Sequence, residues 1–179
     1  MDGSILLFIQ DNIRNPVLNP VMKGLSFLGN KGIFWVILTL VLLIFAKTRK
    51  AGLASVIAIL LTFIFNDLFL KNTVARIRPY EVIEGLTIIV AKENSYSFAS
   101  GHAAIAFASS VSMFRWLPRK ASVCLVVLAA LIALSRLYVG VHYPTDVLAG
   151  TVIGIVFGLI ASFAVKKITE RKANGGSAA

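Results

Sequence analysis

The sequence predicts an all-α integral membrane protein, a bundle of five transmembrane helices with an N-terminal interfacial helix, or six spans if that first segment also crosses. Three observations predict it. Hydrophobic residues make up 58% of the 179, and the mean hydropathy is +0.84, above the roughly half-apolar composition of soluble domains. The apolar residues fall in runs approaching the roughly 20 that a bilayer-crossing helix needs. Lys and Arg cluster between those runs rather than within them. Residues 1–172 are expected to form one membrane-embedded domain, and 173–179, which include Gly175, Gly176 and Ser177, a flexible tail or cloning scar.

The first predicted span covers about 33–46 and extends back towards Gly24; the second covers about 51–70. A third, shorter and more mixed, covers about 103–117, the fourth about 121–137 and the last about 147–165. Residues 4–28 differ: the apolar Ile5-Leu6-Leu7-Phe8-Ile9 is followed by Asp11, Asn12, Arg14, Asn15 and two prolines. Such an interrupted segment reads as an interfacial helix and a connector. Gly150, Gly154 and Gly158 recur every four residues in the last span, as do Ala104, Ala108 and Ser112 in the third. Small residues at that spacing let helix backbones approach closely in a membrane.

The net charge is +10, from 18 Lys+Arg against 8 Asp+Glu, and placement decides what it means. Lys47, Arg49 and Lys50 follow the first span, Arg115, Arg119 and Lys120 separate the third from the fourth, and Lys166, Lys167, Arg171 and Lys172 follow the fifth. Alternating spans put all of these on one side, which the positive-inside rule makes cytoplasmic. The second–third and fourth–fifth connections then face outward. Membrane topology thus accounts for much of the charge, and no basic tract interleaved with aromatics points to nucleic acid. The lone Cys124 lies in an apolar run and reads as a buried packing residue.

Polar residues gather at the outward ends of the spans, against that trend. Lys71, Arg76 and Arg78 follow the second span, Ser100-Gly101-His102 opens the third, Ser135-Arg136 closes the fourth, and His142 and Asp146 precede the fifth. Ionisable groups near a membrane mark function by default. A phosphoryl group needs fixed cations and N–H donors around its oxygens. Lys71, Arg78 and Arg136 can supply the cations, and Ser100-Gly101 stands where a helix start offers free N–H groups. Two histidines allow one to attack phosphorus and the other to protonate the leaving oxygen, and Asp146 can hold an imidazole in one tautomer. The two histidines lack a matching carboxylate or thiolate cluster, so neither a metal nor another cofactor is expected.

Lys71-x6-Arg78-Pro79, Ser100-Gly101-His102 and Ser135-Arg136-x5-His142-x3-Asp146, in that order, resemble the three-part signature of the type 2 phosphatidic acid phosphatase superfamily. The resemblance implies a metal-independent phosphatase in which His142 is transiently phosphorylated, His102 is the general acid and Asp146 orients the nucleophile. It assigns Lys71, Arg78, Ser100, Gly101 and Arg136 to phosphate binding. Arg76 lies outside the core motif, as a contact for a second phosphate or a lipid headgroup. Where the family usually has proline before Ser-Gly-His, this chain has Ala99, which implies a less rigid loop entry. Short loops and an outward site are similar to those of bacterial cytoplasmic-membrane enzymes that hydrolyse undecaprenyl diphosphate to undecaprenyl phosphate. The alternatives are a phosphatidylglycerophosphate or phosphatidic acid phosphatase, a lipid phosphate transferase, or a non-enzymatic membrane protein. Expected partners are a lipid phosphate and membrane lipids, and the oligomeric state is left open.

The long outer connection, about 79–99, reads as a partial lid or membrane-dipping helix. Tyr80, Tyr96 and Phe98 line a lipid entrance or anchor at the interface, and Glu81, Glu84 and Glu93 form a solvated face. Asn66 and Asp67, late in the second span, are assigned to hydrogen bonding inside the bundle.

Overall fold

A computed structural model describes residues 2–175, and among these every regular element is helical. Helix α1 (Asp2–Phe8) runs into a π-helical turn (Ile9–Ile13). Helices α2 (Leu18–Leu28) and α3 (Ile33–Ile44) follow, joined by a short 3-10 turn (Asn30–Gly32). Helix α4 (Arg49–Thr62) continues through a π-helical stretch (Phe63–Leu70) into the single turn α5 (Lys71–Val74). The short α6 (Pro79–Val82) precedes a long irregular connection to α7 (Gly101–Met113), and α8 (Arg119–Tyr138) and α9 (Pro144–Gly175) complete the bundle. Proline stands at the start of α6 and α9 and at the N-cap of α8, where its missing N–H removes no helical bond.

The α4–α6 stretch, α8 and α9 are each long and apolar enough to cross a bilayer, and the α2–α3 pair adds a fourth span if its 46° bend is counted within one. Large apolar side chains such as Ile37, Leu60, Leu134, Leu148 and Phe163 stay exposed, as a lipid-facing surface requires. The third predicted span corresponds to α7. Its 13 residues rise about 20 Å, short of the roughly 30 Å hydrocarbon layer. Ala103, Ala104, Ala106, Ala108, Ser109, Ser110 and Ser112 are all buried, because α7 packs against α4, α8 and above all α9. A helix surrounded by protein needs small residues more than length, which explains its mixed composition.

Glycine sets the α7–α9 spacing. A Cβ on Gly150 would lie 2.5 Å from the Ser100 carbonyl oxygen, and one on Gly158 2.8 Å from that of Ala108. The lipid offers no hydrophobic drive here, so this close contact is itself the source of association.

The N-terminal segment is more ordered than its sequence suggests. Asn15 Oδ1 accepts from the N–H groups of Val17 and Leu18 at 3.0 and 2.9 Å, capping α2, and Pro20 falls in the first turn, where it is tolerated. The expected connector is therefore helical, and α2 packs on α8 as the upper half of the first leg. Gly32, at φ +66°, sits in the bend. At the opposite end, Lys50 Nζ lies 5.7 Å over the Trp116 ring, joining two of the basic turns. One further expectation needs correction: Cys124 is exposed on the outer face of α8 rather than buried. Helix α9 runs to Gly175, and the remainder of the expected tail, 176–179, lies outside the described residues.

Candidate active site

The turn between α8 and α9 fixes the first pair of groups. Gly140, at φ +84°, lets the chain reverse so that His142 stands just before Pro144 and Asp146 falls in the first turn of α9. His142 Nδ1 is 3.6 Å from Asp146 Oδ2, and both side chains are buried. Ser97, which the sequence motifs did not mark, is wedged beside them. Its Oγ donates to Asp146 Oδ2 at 2.5 Å and lies 3.4 Å from His142 Nδ1. The Tyr143 N–H donates to the same oxygen at 3.0 Å. These contacts hold the aspartate still and turn the Nδ1 edge of the imidazole towards it, leaving Nε2 for other work. Nε2 faces Arg78 Nη1 at 3.4 Å.

Arg78 and Arg136 come from different elements and meet on one carboxylate. Arg78 Nη2 donates to Glu93 Oε2 at 2.6 Å, and Arg136 Nη2 pairs with Glu93 Oε1. Arg78 is anchored further by the Ser95 carbonyl at 2.7 Å and the Val141 carbonyl at 2.9 Å, and Arg136 Nη1 by Ser26 Oγ of α2. Both arginines are buried, and their forks are held in the geometry that suits phosphate oxygens. Glu93 was expected on a solvated face; it sits instead between these two guanidinium groups, because the irregular 83–100 connection folds inward. The Tyr80 hydroxyl and the Ser97 N–H, bonded to the Glu93 backbone and the Arg76 carbonyl, help hold it there.

Ser100 is the N-cap residue of α7. Its own N–H is engaged by the Asp146 carbonyl at 3.0 Å, which ties the starts of α7 and α9 together. The N–H groups of the first α7 turn, from Gly101 on, have no acceptor within the helix, and the buried Ser100 Oγ has no protein partner. Gly101 leaves close quarters for its neighbours: a Cβ would come within 3.1 Å of Asp67 Oδ1 and 3.3 Å of Lys71 Nζ, crowding that ion pair. Lys71 Nζ pairs with Asp67 at 2.7 Å, and Asn66 Nδ2 reaches the Ala99 carbonyl at 3.4 Å. Both polar residues of the second span thus serve hydrogen bonding within the bundle. His102 Nε2 lies 3.0 Å from Asn30 Oδ1, and its ring packs where a side chain on Gly29 would collide at 2.7 Å. The α2–α3 bend therefore supplies Ser26, Gly29 and Asn30 to the site, with no motif to announce them. Ser135 Oγ bonds within its own helix to the Ile132 carbonyl at 2.6 Å.

Arg76 is drawn to Asp146 rather than into open space. Its Nη1 is 2.6 Å from Asp146 Oδ1 and 2.7 Å from Thr145 Oγ1, and its Nη2 is 3.0 Å from Asp2 Oδ2. Its guanidinium stacks 3.8 Å over the Tyr143 ring. A cleft of about 630 Å³ opens beside it, lined by Lys71, Arg76, Arg78, Lys92, Glu93 and Tyr96 among others. Among the described residues, no three His, Cys, Asp or Glu side chains are grouped to hold a metal ion.

Burial pulls the His142 imidazole down to about 4; its hydrogen bond to Asp146 opposes this, and Arg136 and Arg78 reinforce it. The ring is therefore neutral near pH 7, with an unprotonated nitrogen able to attack phosphorus. Burial alone would raise the Glu93 carboxyl, but Arg136 and Arg78 outweigh it and hold the group at about 2.

A neutral, carboxylate-oriented histidine beside two buried arginines and an open helix start, all at one end of a membrane bundle, defines the class: a membrane-embedded lipid phosphatase. Residues 51–170 match the PAP2 superfamily, and the chain belongs to that family. It is 34% identical over 137 residues to an undecaprenyl-diphosphatase of Sulfolobus acidocaldarius, a match covering 76% of this chain and 66% of that protein. It is 33% identical over 188 residues to a lipid A 4'-phosphatase of Bacteroides thetaiotaomicron, covering 96% and 80%. The crystal structure of a transmembrane PAP2-type phosphatidylglycerolphosphate phosphatase from Bacillus subtilis superposes with a TM-score of 0.72 at 29% identity, covering 95% of this chain and 85% of that one.

Proposed function

We propose that the protein hydrolyses undecaprenyl diphosphate to undecaprenyl phosphate at the extracytoplasmic face of a bacterial cytoplasmic membrane, through a phosphohistidine. The arrangement of His142 carries the reading: Nδ1 faces Asp146 and Ser97, while Nε2 faces the Arg78 fork. Nε2 attacks the terminal phosphorus, and the bond from phosphorus to the bridging oxygen breaks. His102 gives that oxygen a proton, and the lipid monophosphate leaves. His102 then takes a proton from water as the water oxygen attacks phosphorus, the Nε2–P bond breaks, and orthophosphate departs. Arg78, Arg136, Lys71, Ser100 and the first N–H groups of α7 hold the phosphoryl oxygens and stabilise the charge developing on them. Arg76, bonded to Asp146 and bordering the cleft, steadies the aspartate and faces the second phosphate.

The diphosphate preference rests on the Sulfolobus relative, and the outward site on the distribution of Lys and Arg. The likeness to the Bacillus structure supports a second reading, a phosphatidylglycerophosphate phosphatase. Phosphate release from a panel of isoprenoid and glycerolipid phosphates, measured on detergent-purified protein with EDTA present and beside His142→Ala, tests all of this. We expect EDTA-resistant activity, highest on the isoprenoid diphosphate and lost in the variant. Full activity of His142→Ala would overturn the nucleophile, complete inhibition by EDTA the metal-free route, and a strong glycerolipid preference the substrate. Hydrolysis of externally added short-chain substrate by right-side-out vesicles tests the membrane side.

A further inference from the structure

We infer that Glu93 is an internal anion that fills the phosphate site until substrate displaces it, and that it thereby selects terminal phosphate groups over phosphodiesters. The inference rests on the phosphate-binding role proposed above for Arg78 and Arg136. Each Glu93 carboxylate oxygen pairs with one of these arginines, which is how two oxygens of a phosphoryl group would sit. A second observation concerns access. The cleft reaches Arg78 and Glu93, but neither Arg136 nor His142 lines it, and His142 is 1% exposed. The Glu93 side chain, 27% exposed, therefore stands between the open cleft and the buried nucleophile. The backbone around it stays held by Tyr80 and by the Ser97 N–H, but Glu93 lies in a non-helical stretch, so its side chain can swing aside without unfolding a helix.

Binding is then an exchange of anions. Two buried arginines without a counter-charge would be strongly destabilising, so Glu93 leaves only when an anion of at least equal charge arrives. A terminal phosphate carries up to two negative charges and three free oxygens, and can replace both ion pairs. A phosphodiester headgroup carries one charge on two oxygens and offers no gain over a carboxylate already tethered in place. Membrane phospholipids with diester headgroups are thus turned away, although they surround the cleft in great excess. Lys92, which also lines the cleft, can receive the displaced carboxylate.

Binding of inorganic phosphate to purified Glu93→Gln and to the unaltered protein, by calorimetry in detergent, tests this, with phosphatidylglycerol as a competing diester in the activity assay. The glutamine keeps shape and loses charge. We expect phosphate to bind the variant at least about fivefold more tightly, and phosphatidylglycerol to inhibit it while leaving the unaltered protein unaffected. Equal or weaker phosphate binding by the variant, or no new inhibition by the diester, overturns the inference. Should Glu93→Gln fail to fold, Glu93→Asp keeps the charge but is one methylene too short to bridge both arginines, and it too must bind phosphate more tightly. If the unaltered protein and both variants all fail to bind phosphate, the phosphate-site reading itself falls, and the exchange with it.

Discussion

Gly150→Ala is the sharpest test of how packing sets the chemistry. A new Cβ would stand 2.5 Å from the Ser100 carbonyl oxygen, whereas Cβ atoms essentially never approach within 3.0 Å and ordinary contact begins at 3.4 Å. The start of α7 must therefore move from α9 by about 0.5–0.9 Å, since the obstacle is backbone and cannot swing aside. Ser100 is the residue whose N–H bonds the Asp146 carbonyl, so the shift separates His102 from the His142–Asp146 pair. A displacement near 1 Å at reacting groups lowers kcat by about 10- to 100-fold. Overpacking of this kind costs about 1–3 kcal/mol, which lowers Tm by roughly 2–12 °C at this chain length. Gly158→Ala is the control: it meets the Ala108 carbonyl at 2.8 Å, two turns further along α9 from Asp146. It is expected to lower Tm similarly while kcat changes less than about threefold. Thermal unfolding in detergent and initial rates of phosphate release measure both. An unchanged kcat in Gly150→Ala, or an equal fall in both variants, would refute the link between helix spacing and site geometry.

Ser97→Ala removes the 2.5 Å hydrogen bond to Asp146; hydrogen bonds to charged groups contribute about 1.5–3 kcal/mol, so kcat/KM is expected to fall about 10- to 150-fold with the protein still folded by circular dichroism. Asp2→Asn breaks a partly exposed ion pair with Arg76 and leaves an amide oxygen for Thr145, and steady-state rates should fall no more than about fivefold. Because folded His142 titrates at about 4 and not at the ordinary 6.5, the loss of kcat/KM caused by protonation of the nucleophile should fall near pH 4 and not near 6.5. The same shift makes the unfolded chain bind a proton that the folded one refuses. The stability present above 6.5 is therefore lost progressively as pH falls towards 4, and His142→Ala should flatten the Tm–pH curve over that window.

The sequence carried the site further than the scaffold. His142, Asp146, Arg78, Arg136 and the Ser100-Gly101-His102 start are brought to one end of the bundle, and their residue types alone suggested phosphoryl chemistry. Helix α7 was harder to read because its shortness follows from being enclosed, a tertiary fact that a hydropathy window does not contain. The prolines of the N-terminal segment suggested interruption, yet the Asn15 cap and the tolerance of a first turn for proline let α2 form. Ser26 and Asn30 reach the site only through the bend between α2 and α3. Glu93 misled for a simple reason. A carboxylate in a polar connection is usually solvated, and only its two buried arginine partners show that this one is not.

The contact between Asp2 and Arg76, and through Arg76 to Asp146, joins the beginning of the chain to the first turn of its last helix. In a protein inserted into the membrane as it is synthesised, Asp2 can meet Arg76 before α7 emerges, but the link through Arg76 to Asp146 waits for α9. The residues proposed to bind and attack phosphate are likewise contributed up to Asp146, and α9 must dock on α7 before they align. A chain arrested or cleaved before α9 would therefore hold its spans in the bilayer without hydrolysing anything. The appearance of activity would then time the docking of α9 on α7.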